Sequence, residues 1–409
     1  MKAINIFAAA IATLISVGAG SQTRLSLEEC IALATSNNAG LRAAQGEVDK
    51  ARIMQGTAWK LDNTTLTLSQ DPTSGGSPDN SLTLSQEFDF PTVYTSRRKS
   101  LKAETAVAQS HRNISAKRLA ADVAEVYTLM VCALEREGIL RSQDSILTEY
   151  LHLATTRYNA GEARQLEKLT AGRMLSENRL ETDKVKAEFR SLQGRMRALI
   201  GGDADILPAD SVLQAMPFSA PRSLDYSRTA ESLLYSNEAQ RAQRAVAEAK
   251  GGYLPNFSVG LRTQLVLKGW NPYNVDRSSF SKGDFMGFEV GVGFPLFFGS
   301  TKAKVRAAQK DRELTALLAR QAMARQEGEY LAQREKLLSA QKRIDYYRNE
   351  GLHEAGEMMR IAKVSYENSD IGYVEYVQAM LEAMNTRMKY AEAVKEYNLA
   401  VISLKELME

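Results

Sequence analysis

Four stretches of this chain alternate apolar and polar residues with a period of two, the pattern of a strand whose faces meet different surroundings. In residues 63–70, Leu66 and Leu68 alternate with Thr65, Thr67 and Ser69; in 81–90, Leu82, Leu84, Phe88 and Phe90 alternate with Thr83, Ser85, Glu87 and Asp89. In 256–267, Phe257, Val259, Leu261 and Leu265 alternate with Ser258, Gly260, Arg262 and Gln264. In 283–294, Met286, Phe288, Val290, Val292 and Phe294 share one face, with Glu289 and three glycines on the other. Strands of about 8–12 residues suit tilted spans of an outer membrane, and they suit a half-buried soluble sheet equally well. The segments joining each pair, 71–80 and 268–282, are rich in Gly, Ser, Pro and Asn, as exposed loops are, and Trp270 and Tyr273 stand in the second as interfacial aromatics or plain loop residues.

Each strand pair ends on a Phe-Pro, at Phe90-Pro91 and Phe294-Pro295, and no proline follows in 92–207 or 296–409. Proline inside a helix removes a hydrogen bond and clashes with the previous turn, so these tracts are free to form very long helices. We expect helices over 92–159 and 299–368; at 1.5 Å per residue each reaches roughly 100 Å. Both then turn, at Asn159-Ala160-Gly161 and Asn368-Ser369-Asp370, into return helices. In the second return helix, Val374, Val377, Leu381, Met384, Met388 and Ala391 step by three and four as a coiled-coil seam does. Ala303, Ala307, Ala308, Ala316 and Ala319 allow close helix approach. Ahead of the strands each half is expected to open with a helix ending near an Asn (Asn37, Asn237), followed by an alanine-rich helix.

The chain is therefore read as two similar halves, 22–207 and 226–409, joined by a segment at 208–225 that carries three prolines and follows Gly201-Gly202. Residues 1–21 have the form of a secretory signal: Lys2, an apolar stretch, then Ala19-Gly20-Ser21. No segment approaches the length of a membrane-spanning helix, so any insertion must use strands. Four strands cannot close a barrel, and an open edge in lipid leaves backbone groups unsatisfied; closure requires oligomerisation, and a trimer supplies twelve strands. Lys/Arg and Asp/Glu are nearly balanced (52 against 49) and interspersed, which leaves no basic footprint for nucleic acid. Cys30, behind a Ser26/Glu29 capping box, and Cys132 both fall in expected helices, and two cysteines make no disulfide framework.

Leu61 and Asn63, Leu254-Pro255-Asn256, the two Phe-Pro pairs and the two turn segments (Arg157-Tyr158-Asn159-Ala160-Gly161 with Ala171, Ser365-Tyr366-Glu367-Asn368-Ser369 with Ala379) occur in the same doubled order as in a known family. By these residues the chain resembles the TolC-like outer membrane efflux proteins over nearly all of its mature length. The resemblance implies a mixed α and membrane β-barrel fold: a trimer with a twelve-stranded barrel in the outer membrane and a long α-helical tunnel in the periplasm. It also implies a periplasmic adaptor protein and an inner-membrane pump as partners. The function implied is a passive exit duct of a tripartite efflux or type I secretion system for small molecules, metal ions or drugs, with no catalysis and no cofactor.

The resemblance places adaptor contacts at the hairpin tips, here Tyr158, Asn159, Ala160, Gly161 and Glu162, and Tyr366, Glu367, Asn368, Ser369 and Asp370. Ser369 stands where the family usually has Gly, and left-handed backbone there costs a serine about 1 kcal/mol. It also implies an acidic periplasmic gate at Glu167 and Glu375, with Gln378 (and Thr170 in the first half) where the family carries a second acid. A solvated helix glutamate is the plainer reading of each. Met380, Met384 and Met388 are soft-metal ligands by type but lie on or beside the apolar seam, as core residues do. His111, His152 and His353 have no ligand spacing, and no nucleophile or phosphate-loop motif occurs. The alternative is an exported structural coiled-coil protein without a channel.

Overall fold

The four alternating stretches form one antiparallel sheet in the structure, a computed structural model that describes residues 23–72, 78–202, 205–265 and 286–408. Its strands are β2 (Thr65–Pro72), β3 (Pro78–Asp89), β5 (Asn256–Leu265) and β6 (Met286–Gly293), in the order β2-β3-β5-β6. The register lines like residues into rows. Leu66, Leu84, Leu261 and Phe288 are successive partners across all four strands, and Phe88, Phe257 and Val292 across three. Between these rows, Thr65, Ser85, Gly260 and Glu289 form a polar row on the opposite face. Residues 266–267 and 283–285 of the expected strands, the signal segment, Trp270 and Tyr273 lie outside the described residues, and the expected loop 71–80 is strand at 71–72 and 78–80.

Gly291 and Gly293 of β6 allow close approach across the polar face. A Cβ at either position would overlap the Ser258 hydroxyl or the Asn256 side-chain carbonyl, so these β5 side chains lean over bare backbone.

The helices are α1 (Leu27–Asn37), α2 (Ala39–Met54), α3 (Pro91–Asn159), α4 (Gln165–Ile200), α5 (Ala230–Ala249), α6 (Gly299–Tyr346), α7 (Leu352–Glu367) and α8 (Tyr373–Met408). The first long helix is continuous for 69 residues. The second is not: a π turn at Tyr347–Gly351 separates α6 from α7, where the sequence reading expected one unbroken helix. Glycine at 351, buried against the Tyr346 and Tyr347 rings, is compatible with that local widening. The Ser26/Glu29 capping box is present, each side chain accepting from the other residue's backbone N–H. Asn38 breaks α1 from α2 by accepting from Leu41 N and donating to the Leu199 carbonyl. The matching break expected near Asn237 does not occur. Asn237 lies inside α5 and donates to Ser110 Oγ instead, leaving the backbone helical.

By packing, the chain divides into two units, one from Met1–Ala44, Arg112–Ala230 and Ala322–Glu409, the other from Gln45–His111 and Glu231–Gln321. The second holds the four-stranded sheet. The first holds the main hydrophobic core, with Met130, Met196, Tyr330, Leu337, Val394 and Leu404 at its centre. It also contains a two-stranded parallel pair, β1 (Thr23–Leu25) with β4 (Ile206–Pro208), which the sequence reading did not anticipate.

The segment between the halves is tied down despite its lack of regular structure. Tyr330 donates to the Pro221 carbonyl (2.6 Å), Asn398 accepts from Met216 N and donates to the Gln214 carbonyl, and Glu135 accepts from Leu213 N. Backbone groups that the prolines keep out of secondary structure are thus satisfied by helix side chains. Cys30 and Cys132 are buried free thiols in the same core, and burial pushes them up to about 12 and about 11. They behave as small apolar residues.

The seam of α8 is observed: Val377, Met384 and Ala391 are buried, with Val374, Leu381 and Met388 half-buried. Along the first part of α6, Ala303, Ala307 and Ala316 are exposed and Ala308 and Ala319 half-buried in the single chain, while Val305 and Thr315 are buried.

Candidate functional site

The two helical hairpins end in turns built from the same hydrogen bonds. In the first, Ala160 N donates to the Thr156 carbonyl, Gly161 N to Tyr158, and Glu162 N to Arg157. In the second, Asn368 N donates to Val364, Ser369 N to Tyr366, and Asp370 N to Ser365. The bond reaching back five residues is the closing contact of a Schellman-type helix end, which requires a left-handed residue before it. Gly161 (φ 77°) supplies it without strain, and Ser369 (φ 63°) supplies it against its preference. No other described non-glycine residue has positive φ. The departure from glycine changes the residue at this turn and leaves its conformation unchanged.

The expected tip residues are at the surface. Tyr158, Asn159, Ala160, Gly161 and Glu162 are exposed, as are Glu367, Asn368, Ser369 and Asp370, while Tyr366 is half-buried. Lys168 stands 5.3 Å over the Tyr158 ring. Glu167 lies 3.6 Å from the Arg157 guanidinium, bridging the two arms of the first hairpin, with its side chain 20 % exposed. Glu375 is exposed and accepts from Gly372 N at 3.2 Å, capping the start of α8. Gln378 is exposed. The matched carboxylates thus differ: Glu167 has a cationic partner, and Glu375 keeps its charge uncompensated by any ion pair among the described residues.

Between the hairpins lies a cluster the sequence reading missed. Tyr366 contacts Tyr373 (5.2 Å) and stacks on Tyr376 (5.1 Å), and Tyr150 meets Tyr373 at 5.6 Å. With Leu147, Ala154, Ala171, Leu175 and Val377 they form a small second core. Tyr373 is 6 % exposed, and its hydroxyl is buried without a hydrogen-bond partner. Burial, reinforced by the Glu149 carboxylate, raises the phenols of Tyr373 and Tyr376; burial and Glu167 raise Tyr150.

A raised phenol stabilises the fold below its unfolded pKa and loses that contribution as pH climbs through the folded one. The tip core is therefore expected to lose amide-exchange protection above about pH 10. Tyr373→Phe removes the unpartnered hydroxyl and should hold protection to higher pH; an equal or earlier loss in that variant would contradict this.

Among the described residues no group of three or more His, Cys, Asp or Glu is placed to hold a metal ion, and no helix is long and apolar enough to cross a membrane. Met384 is buried and Met388 packs beside Ala133, Leu140 and Val185, so these methionines are core residues.

No family model matches the chain, and no curated protein matches it by sequence. Solved structures do. CusC, described through transmembrane channel formation, aligns over 96 % of this chain and 95 % of its own at a TM-score of 0.75 and 16 % identity. The chain has the fold of the TolC-like outer-membrane channels. The Campylobacter jejuni CmeC outer membrane channel (TM-score 0.71, 14 % identity, 96 % and 90 % covered) shares this TolC-like fold. So does the open state of the Neisseria gonorrhoeae MtrE outer membrane channel (TM-score 0.70, 15 % identity, 96 % and 93 % covered). At these identities the likeness extends across the whole architecture but not to any particular residue.

Proposed function

We propose that three copies of this chain form an outer-membrane channel, the exit duct of a tripartite efflux or secretion machine. One observation carries the proposal. The apolar row Leu66, Leu84, Leu261 and Phe288 is 64, 43, 50 and 82 % exposed, with a polar row on the reverse face, and among the described residues β2 and β6 have no outer pairing partner. A soluble sheet would cover such a face, and a lipid-facing wall leaves it bare. Joining β6 of one copy to β2 of the next removes both edges, and three copies close twelve strands. The TolC-like fold supports the same reading.

In this reading the hairpin tips, Tyr158–Glu162 and Tyr366–Asp370 in sequence, receive a periplasmic adaptor, and the energy comes from an inner-membrane pump. The duct itself makes and breaks no bond. Planar-bilayer recording of the purified protein tests the proposal: a small, steady conductance is expected, and protein that remains in solution without partitioning into lipid would refute it.

Glu167, Glu375 and Gln378 line the closed end in this proposal. Because Arg157 compensates Glu167, the two acids contribute unequally. Glu375→Gln should lower the cation-over-anion permeability ratio by about two-fold, and Glu167→Gln by less. Reversal potentials in a salt gradient measure both, and equal ratios in all three proteins would remove these residues from the gate.

A further inference from the structure

The two long helices start differently. The first begins at Pro91, directly after Phe90, whereas the second begins at Gly299, five residues beyond Phe294. The intervening residues read Pro-Leu-Phe-Phe, outside both strand and helix. Phe294, Leu296, Phe297 and Phe298 are 67, 80, 91 and 50 % exposed. In the first half, the third residue after Phe-Pro is Tyr94, which is 6 % exposed, stacks under Trp59 and accepts from Asp89 N.

The bare segment is held in place. Phe298 packs on Tyr253 at 5.8 Å, Leu254 N donates to the Gly251 carbonyl to close the turn carrying Tyr253, and Thr301 donates to the Gly252 carbonyl. It also continues the apolar face of β6, where Phe288, Val290 and Val292 are exposed, past the last paired row at Gly293.

Lys302, Lys304 and Arg306 follow within about the first two turns of α6, all exposed, with no ion pair to another of the described residues. Cations at a helix N-terminus oppose the helix dipole, so they do not serve the helix. An apolar stretch followed at once by unpaired cations is the profile of a segment seated at the boundary between acyl chains and anionic headgroups.

We infer that residues 294–298 insert into the acyl–headgroup boundary of a phospholipid leaflet, with Lys302, Lys304 and Arg306 at anionic headgroups. The inference rests on the membrane-channel reading and adds an anchor outside the strands. At the matching position of the first half Tyr94 is buried beneath Trp59, whose own ring is 61 % exposed.

Tryptophan quenching tests it. The full-length chain carrying Trp59→Phe and Trp270→Phe receives one reporter, Phe297→Trp, Leu296→Trp or Phe288→Trp, and is reconstituted in vesicles of phosphatidylcholine and phosphatidylglycerol with brominated acyl chains. All three reporters should lose fluorescence by about two-fold or more relative to unbrominated vesicles. Adding Lys302→Gln, Lys304→Gln and Arg306→Gln should abolish the extra quenching that brominated phosphatidylglycerol produces over brominated phosphatidylcholine. Quenching at 288 without quenching at 296 or 297 overturns the anchor and leaves the channel intact. Absence of quenching at all three positions overturns the channel reading itself. Phe297→Cys crosslinking between copies, with 296 and 297 unquenched, would assign the segment to a neighbouring subunit and also overturns the anchor.

Discussion

Phe288→Arg is expected to remove the protein from the membrane fraction while leaving its helical circular dichroism intact. Phe288 is 82 % exposed at the β6 end of the widest apolar row, on the face opposite Glu289 and Gly287. A cation on the lipid face of a barrel costs about 2–4 kcal/mol at the midplane, and in a trimer the cost falls three times. The helical core lies in the other packing unit, without Phe288, so folding of that unit should survive. Glu289→Arg is the matched control: one residue along, it points to the polar face and should be recovered from membranes at the normal yield. Normal recovery of both variants would mean that the exposed row does not face lipid.

Val394→Asp is the second large effect, on stability. Val394 is fully buried among the core residues gathered around Met130 and Tyr397, which offer apolar surface. An unpaired carboxylate there is expected to cost about 3–5 kcal/mol at neutral pH, most of it desolvation. The sign with pH follows. Burial raises the folded pKa of the new acid above its unfolded value near 4, so the deficit is smallest below that pH and grows as pH rises. Melting temperatures at pH 4 and pH 8, each referenced to the parent protein, should show the larger gap at pH 8. Equal gaps would mean that the site admits water.

Most of the architecture was legible because it rests on long, repetitive signals. The period-two stretches around Leu66, Leu84, Leu261 and Phe288 became paired rows, and the proline-free tracts became the long helices with turns at Gly161 and Ser369. Signals that depend on tertiary contact were not legible. The β1–β4 pair is three residues long on each side, too short to show a period, and parallel pairing joins parts of the chain far apart in sequence. The π turn at Tyr347–Gly351 has no proline or run of breakers to announce it. Asn237 carries the same composition cue as Asn37, and what keeps it helical is its bond to Ser110 on another element.

At the candidate site, the tip residues and the paired glutamates were named through the family resemblance. Their inequality could not be, because the Arg157–Glu167 bridge crosses the hairpin and Glu375 is engaged by a backbone N–H. The tyrosine cluster did leave a trace, Tyr373 and Tyr376 three apart on one helix face with Tyr366 just across the turn. Tyr150, on the other hairpin, completes it only in the folded chain.

The central claim is that the exposed apolar row of the sheet faces lipid in a closed trimer. The most direct test is the mass of the particle extracted from outer membranes in detergent, corrected for bound detergent. The account predicts three chains per particle. A stable monomer in solution without detergent would contradict it.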